Sequence, residues 1–147
     1  MEYPEKDNIK DTLSYLHAKK KYYEKILELS EIQEEVVLSK NIKKLSLITM
    51  EKENYIKEIK SLDRNNTKIV KELSTNNKSL ILDKRINSLV NRLHTLVIKV
   101  RDYDLNSIAH IKSSLEITKT KLNKRRTAQQ SMRYQPIQPS RYVDIIK

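Results

Sequence analysis

The 147-residue sequence contains no glycine, cysteine, tryptophan or phenylalanine. Glycine is the residue that most readily forms tight hairpin turns and phosphate-binding loops, so its absence disfavours sheet-rich folds and nucleotide-binding loop motifs. Without cysteine the chain forms no disulfides and no thiolate metal sites, which fits a reducing compartment. Charged residues make up 33% of the chain. This composition predicts an all-α protein.

Long apolar runs are also missing. No uninterrupted apolar stretch approaches the roughly 20 residues of a membrane span, and the first residues, MEYPEKDNIKD, are too polar and acidic for a signal peptide. We therefore expect a cytoplasmic protein without membrane insertion.

The clearest pattern in the chain lies between residues 82 and 122. Apolar residues recur there in alternating steps of four and three: Leu82, Ile86, Leu89, Leu93, Leu96, Val100 and Tyr103. This spacing puts them on one face of a helix. The register shifts at RDYDLN (101–106), yet a continuous helix keeps the apolar residues beyond it on the same face. Val90 and Val97 widen this face, which predicts one long helix packed against two neighbours.

Two further helices precede this one. Apolar periodicity predicts a first helix that ends near Leu38 and a second that runs from the N-cap residue Asn41 to about Leu73. The polar stretch STNNKS (74–79) predicts a loop. Because short connections make successive helices antiparallel neighbours, we predict three long helices in an up-down-up bundle over residues 1–122. The alternative is that the helices pair between chains as a coiled-coil dimer.

The remaining residues, 123–147, have two prolines and no apolar periodicity, which predicts a flexible C-terminal tail. The tail carries most of its charge as basic residues, at Lys124, Arg125, Arg126, Arg133, Arg141 and Lys147. Basic residues with interspersed tyrosines suit phosphate contacts and base stacking, whereas the final YVDII suits a protein groove. A tail that only keeps the protein soluble is the third interpretation.

Residues suited to catalysis are sparse. His94 and His110 lie too far apart along the chain for a helical metal-binding pair, and neighbouring acids such as Asp102 and Asp104 are more typical of a solvated face. We expect no enzyme activity, no metal, no cofactor and no small-molecule substrate. The charges of RDYDLN favour a hydrated kink over a polar break that loosens the helix for a partner.

The stretch from residue 22 to residue 66 has a leucine-rich frame with polar residues at fixed places: Leu29, Ser30, Gln33, Lys52, Glu53, Leu62 and Asp63. In this pattern the stretch resembles the first half of the FlgN-type flagellar export chaperones. The long third helix and the segment SRYVD (140–144) also fit that family.

This resemblance implies a cytoplasmic, non-catalytic chaperone that holds unfolded hook-filament junction subunits for the flagellar type III export apparatus. It also implies that substrate recognition falls largely on the C-terminal region. We therefore predict that the amphipathic helices of export substrates bind at the following residues: Ile108, Ile111, Leu115, Leu122, Tyr134, Tyr142 and Val143. The predicted oligomeric state is a monomer or a homodimer. The alternative functions are a basic helical protein associated with nucleic acid and a structural coiled-coil subunit.

Overall fold

The computed structural model describes residues 6–75, 80 and 82–134. All regular structure in these ranges is helical, which confirms the predicted all-α class. The helices are α1 (Lys6–Leu38), α2 (Ile42–Asn65), α3 (Thr67–Ser74) and α4 (Lys84–Tyr134). Within the described residues, no helix is both long enough and apolar enough to cross a bilayer.

The turn between α1 and α2 was located correctly from the sequence. Helix α1 ends at Leu38, and the N–H groups of Lys40 and Asn41 donate to the carbonyls of Val37 and Val36 at 3.2 and 3.3 Å. These two bonds form a Schellman motif, in which Lys40 takes the left-handed position that glycine usually fills (φ 59°). The Asn41 side chain then accepts the N–H of Lys44 at 3.1 Å, and so caps α2.

The prediction of one helix from residue 42 to about Leu73 was wrong, because the helix is interrupted at Asn66. The Asn66 side chain donates to the carbonyl of Leu62 at 2.8 Å, the acceptor that the backbone N–H of Asn66 would use in an unbroken helix. That N–H bonds the carbonyl of Asp63 instead. The second predicted helix is therefore α2 followed by the short α3. Residues 76–79 of the predicted loop lie outside the described residues.

The start of α4 is set by Asp83. Its Oδ1 accepts the N–H groups of Arg85 and Ile86 at 2.9 and 3.3 Å, the arrangement of an N-cap. The Arg85 side chain, which hydrogen-bonds the same carboxylate, lowers the pKa of Asp83. Leu82, which the sequence placed on the buried stripe, precedes this cap and is exposed.

By its internal contacts the chain divides into two units, residues 1–110 and 111–147. The first unit holds two core clusters. One contains Tyr15, Leu16, Leu80, Ile86, Leu89 and Leu93, and the other contains Ile26, Ile59 and Val100. The stripe predicted on the long helix is thus confirmed at its central positions, with Ile86 fully buried.

The predicted widening of this stripe was wrong. Val90 and Val97 are exposed and border an open groove of about 370 Å³ in the first unit. Val70 and Leu73 of α3 line the same groove. Because α3 is only eight residues long and has no fully buried residue, it leaves these valines partly uncovered.

The second unit contains the C-terminal part of α4. The sequence predicted that the helix would end at Leu122, but the structure continues it to Tyr134. Residues 123–132 are rich in Lys, Arg, Gln, Ala and Met, which favour helix even without an apolar stripe. The rest of the predicted flexible tail, residues 135–147, lies outside the described residues.

Candidate protein-binding site

A buried lysine joins three helices of the first unit. The Lys52 ammonium on α2 donates to Gln33 Oε1 on α1 at 2.8 Å and to Asp104 Oδ1 on α4 at 2.5 Å. The same carboxylate oxygen of Asp104 lies 3.4 Å from the hydroxyl of Ser30. Lys52 is almost fully buried and Ser30 completely so. Because the ammonium lies within the bundle, it needs these oxygen partners for its buried charge.

A second polar cluster joins α1 to α2. The Tyr15 hydroxyl donates to Asp63 Oδ1, and the Lys19 ammonium lies 3.1 Å from both of these oxygens. Burial raises the pKa of Tyr15, and so do its hydrogen bond to Asp63 and the charge of that carboxylate. Burial likewise raises the pKa of Tyr23, with a further contribution from Asp63. Both phenols are therefore held in their neutral form, in which the Tyr15 hydroxyl donates to Asp63.

Sequence reasoning named most of these residues without finding their contacts. Ser30, Gln33, Lys52 and Asp63 carry the family resemblance, and the structure brings them into the two polar clusters. Asp104 was interpreted as part of a hydrated kink in RDYDLN. The structure shows instead an unbroken helix in which Asp104 pairs with Lys52. The one available signal was that Asp104 is a charged residue beside an otherwise apolar stripe, which indicates a polar partner on a neighbouring helix.

The predicted binding residues fall on α4, except for two. Ile108 is an exposed residue of the first unit. Ile111, Leu115 and Leu122 belong to the second unit and share one face of the helix through their spacing of four and seven. Tyr134 is the last residue of α4, and its side chain is not among those described. Tyr142 and Val143 lie outside the described residues.

The face formed by Ile111, Leu115 and Leu122 is largely uncovered. Leu115 is 63% exposed and Leu122 is 48% exposed, while Ile111 is partly buried. Basic residues follow this face, since Lys119 comes one helical turn after Leu115 and Arg126 one turn after Leu122. An apolar strip with basic neighbours suits an amphipathic helix that carries acidic residues beside its own apolar face.

A metal site was also sought among the described residues. Within residues 6–75, 80 and 82–134, no group of three or more His, Asp or Glu side chains is placed to hold a metal ion. The histidines at 17, 94 and 110 lie on exposed positions of α1 and α4. What the described surface does present is exposed apolar side chains on long helices, an arrangement suited to protein contacts.

Comparison with known proteins identifies the family. The FlgN protein family model matches residues 1–138, nearly the whole chain. No curated protein and no solved structure matches it. FlgN proteins are flagellar export chaperones rather than enzymes. Because this match covers nearly the whole chain, the chain belongs to the FlgN family.

Proposed function

We propose that this chaperone binds hook-filament junction subunits in the cytoplasm and holds them until the flagellar export apparatus receives them. The observation that carries the proposal is the uncovered apolar face of Ile111, Leu115 and Leu122 on a chain of the FlgN family. These three residues offer a helical strip on which an amphipathic substrate helix packs its apolar side.

The chemistry of the substrate explains why such a strip is useful. Subunits that assemble through amphipathic terminal helices expose apolar faces before assembly, and exposed apolar faces associate without control. A chaperone helix that covers such a face removes its apolar surface from water and delays assembly. The substrate then dissociates when the export apparatus competes for the chaperone or for the substrate helix.

We further propose that the first unit follows the up-down-up order. Helices α1 and α2 are joined by hydrogen bonds between Tyr15 and Asp63 and between Gln33 and Lys52. The later residue of α1 thus contacts the earlier residue of α2, which supports an antiparallel pair. Ser30 meets Asp104, and Ile26 shares a cluster with Val100. The later residue of α1 thus lies beside the later residue of α4, which supports a parallel pair.

A second candidate function is nucleic-acid binding. It is favoured by one observation: Lys124, Arg125 and Arg126 are consecutive and exposed on α4. Consecutive basic residues on a helix attract phosphates without regard to sequence.

A pull-down from a flagellated host separates these candidates. The full chain is captured through an N-terminal tag, and the bound material is identified by mass spectrometry and by nucleic-acid staining. Recovery of hook-filament junction subunits supports the chaperone function. Recovery of ribosomes or nucleic acid without those subunits contradicts it and supports the second candidate.

A further inference from the structure

The turn between α1 and α2 exposes an unusual surface, which we call the hairpin tip. Its apolar members are Leu38 and Ile42, which flank the turn and are 59% and 79% exposed. Ile42 is the most exposed large apolar residue in the part of the chain that the structure describes. Three exposed lysines lie beside them in the sequence, Lys40, Lys43 and Lys44, and no acid lies between residues 38 and 47.

Stability of the fold does not account for this choice of residues. Lys43 and Lys44 stand in the first turn of α2, which has no acidic residue, although cations there oppose the helix dipole. Lys40 occupies a left-handed conformation that is unfavourable for a residue with a side chain. Unfavourable local choices that coincide with exposed apolar side chains are typical of a functional surface.

Charge decides what covers the hairpin tip. The C-terminal segment of this chain is itself basic, so it would meet the three lysines with like charge. The same repulsion opposes contact between the hairpin tips of two copies. An occupant must therefore bring carboxylates for the lysines and apolar side chains for Leu38 and Ile42.

We propose that the hairpin tip is a docking site for an acidic amphipathic helix of a partner protein. The apolar face of that helix packs on Ile42 and its neighbours, and its carboxylates pair with Lys40, Lys43 and Lys44. This site shares no residue with the apolar face of Ile111, Leu115 and Leu122, which we call the α4 face, and it does not depend on the proposed substrate. The chaperone thus has a second protein-binding surface, at the turn between its first two helices.

The test uses a fluorescent peptide of about 18 residues, long enough for five helical turns. It carries leucines on one face and glutamates beside them, and a second version has glutamine in place of glutamate. Binding to the full chain is measured by fluorescence anisotropy. We expect the glutamate peptide to bind at least about tenfold more tightly than the glutamine peptide, because only the former pairs with the lysines.

Two pairs of variants locate the binding. The double variant Lys43→Glu, Lys44→Glu is expected to weaken binding of the glutamate peptide by at least about tenfold. Its control is Lys57→Glu with Lys60→Glu, which makes the same charge change at exposed positions farther along α2. The control should change the affinity by only about twofold. Ile42→Asn is expected to weaken binding, whereas Ile117→Asn, at another exposed isoleucine, leaves it unchanged. All six positions are exposed, and helix content by circular dichroism verifies that the variants fold.

A charge exchange completes the test. The Lys43→Glu, Lys44→Glu variant is expected to bind a peptide with lysines in place of the glutamates, and amide shifts of the wild-type chain with the original peptide are expected at residues 38–47. Equal weakening by both charge-reversal pairs would overturn the proposal, as would shifts confined to residues 111–131. A peptide-free dimer that Ile42→Asn dissociates in sedimentation would also overturn it, because the occupant would then be a second copy of this chain.

Discussion

The ammonium of Lys52 lies 2.5 Å from Oδ1 of Asp104, although the two residues stand on different helices and Lys52 is only 7% exposed. An ammonium this far from water needs a carboxylate, because a buried charge without a partner is strongly unfavourable. Asp104 also meets Ser30 of α1. One carboxylate therefore holds α4 against both other long helices of the first unit.

Replacing Asp104 with alanine is expected to lower the free energy of unfolding by about 1–3 kcal/mol. The estimate is below that for a fully buried pair because the Asp104 side chain is 40% exposed. Asp102→Ala, at an exposed position two residues away, is the control and should change stability by less than about 0.5 kcal/mol. Urea denaturation followed by circular dichroism measures both. Equal losses in the two variants would show that the Lys52 contact does not hold α4.

This pair also shows how far sequence reasoning reached. The spacing of Ile86, Leu89, Leu93 and Val100 predicted the buried face of α4, since helical period depends only on positions within one helix. The partner of Asp104 on another helix depends on how the helices pack. Periodicity within one helix does not show that packing. RDYDLN was therefore interpreted as a kink when it contains a contact between helices.

The errors at helix ends have a local cause. Asn66 interrupts the second predicted helix because its side chain takes the Leu62 carbonyl as an acceptor. The apolar periodicity continues on both sides of Asn66, so the periodicity alone predicted an uninterrupted helix. Conversely, α4 continues past Leu122 without a stripe because its residues favour helix on their own. Of the predicted binding residues, Ile111, Leu115 and Leu122 were chosen from helical period and from the resemblance to the family, and the exposure of Leu115 and Leu122 followed only from the structure.

A prediction of pH dependence concerns Tyr15. Its pKa is raised above the ordinary value of 10.0, so the folded chain binds the phenolic proton more tightly than the unfolded chain does. The resulting stabilisation is complete below pH 10.0 and is lost as the pH rises above that value. Tyr15→Phe is therefore expected to be less stable than the wild type near neutral pH, because it lacks the bond to Asp63, and to lose less stability at high pH.

Urea midpoints at about pH 8 and about pH 11, on either side of the ordinary tyrosine pKa, provide the measurement. Tyr55→Phe serves as the control for general alkaline effects, since Tyr55 lies in the other core cluster. If Tyr15→Phe and the wild type lose equal stability between the two pH values, the Tyr15 hydroxyl is not held in its neutral form by burial and Asp63.

Lys40→Gly is expected to stabilise the chain by about 1 kcal/mol, because glycine adopts the left-handed conformation without the steric conflict of a side chain. The matched control is Lys21→Gly at an exposed position within α1, which should destabilise by a similar amount because glycine weakens a helix interior. Thermal melts of the two variants should thus move in opposite directions. A lower melting temperature for Lys40→Gly would mean that the Lys40 side chain makes a stabilising contact at this turn.

The central claim is that the α4 face binds its partner through apolar contact. Leu115→Ala with Leu122→Ala removes exposed apolar surface and should weaken binding of a hook-filament junction subunit by at least about tenfold. Changing Lys124, Arg125 and Arg126 to Gln should alter mainly the association rate, because exposed charges steer encounter more than they hold a complex. The matched control for the first variant is Ile117→Ala, which is exposed on the opposite side of the helix.

The most direct measurement is a calorimetric titration of a purified junction subunit into the wild type and both variants at low and high salt. We predict that the double alanine variant loses affinity at both salt concentrations, while the wild-type affinity changes little with salt. A phosphate-type contact through about six cations would instead give a log-log salt slope of roughly −4 to −5. Such a slope, together with lost binding in the glutamine variant and intact binding in the alanine variant, would contradict the claim and assign binding to the basic residues of α4.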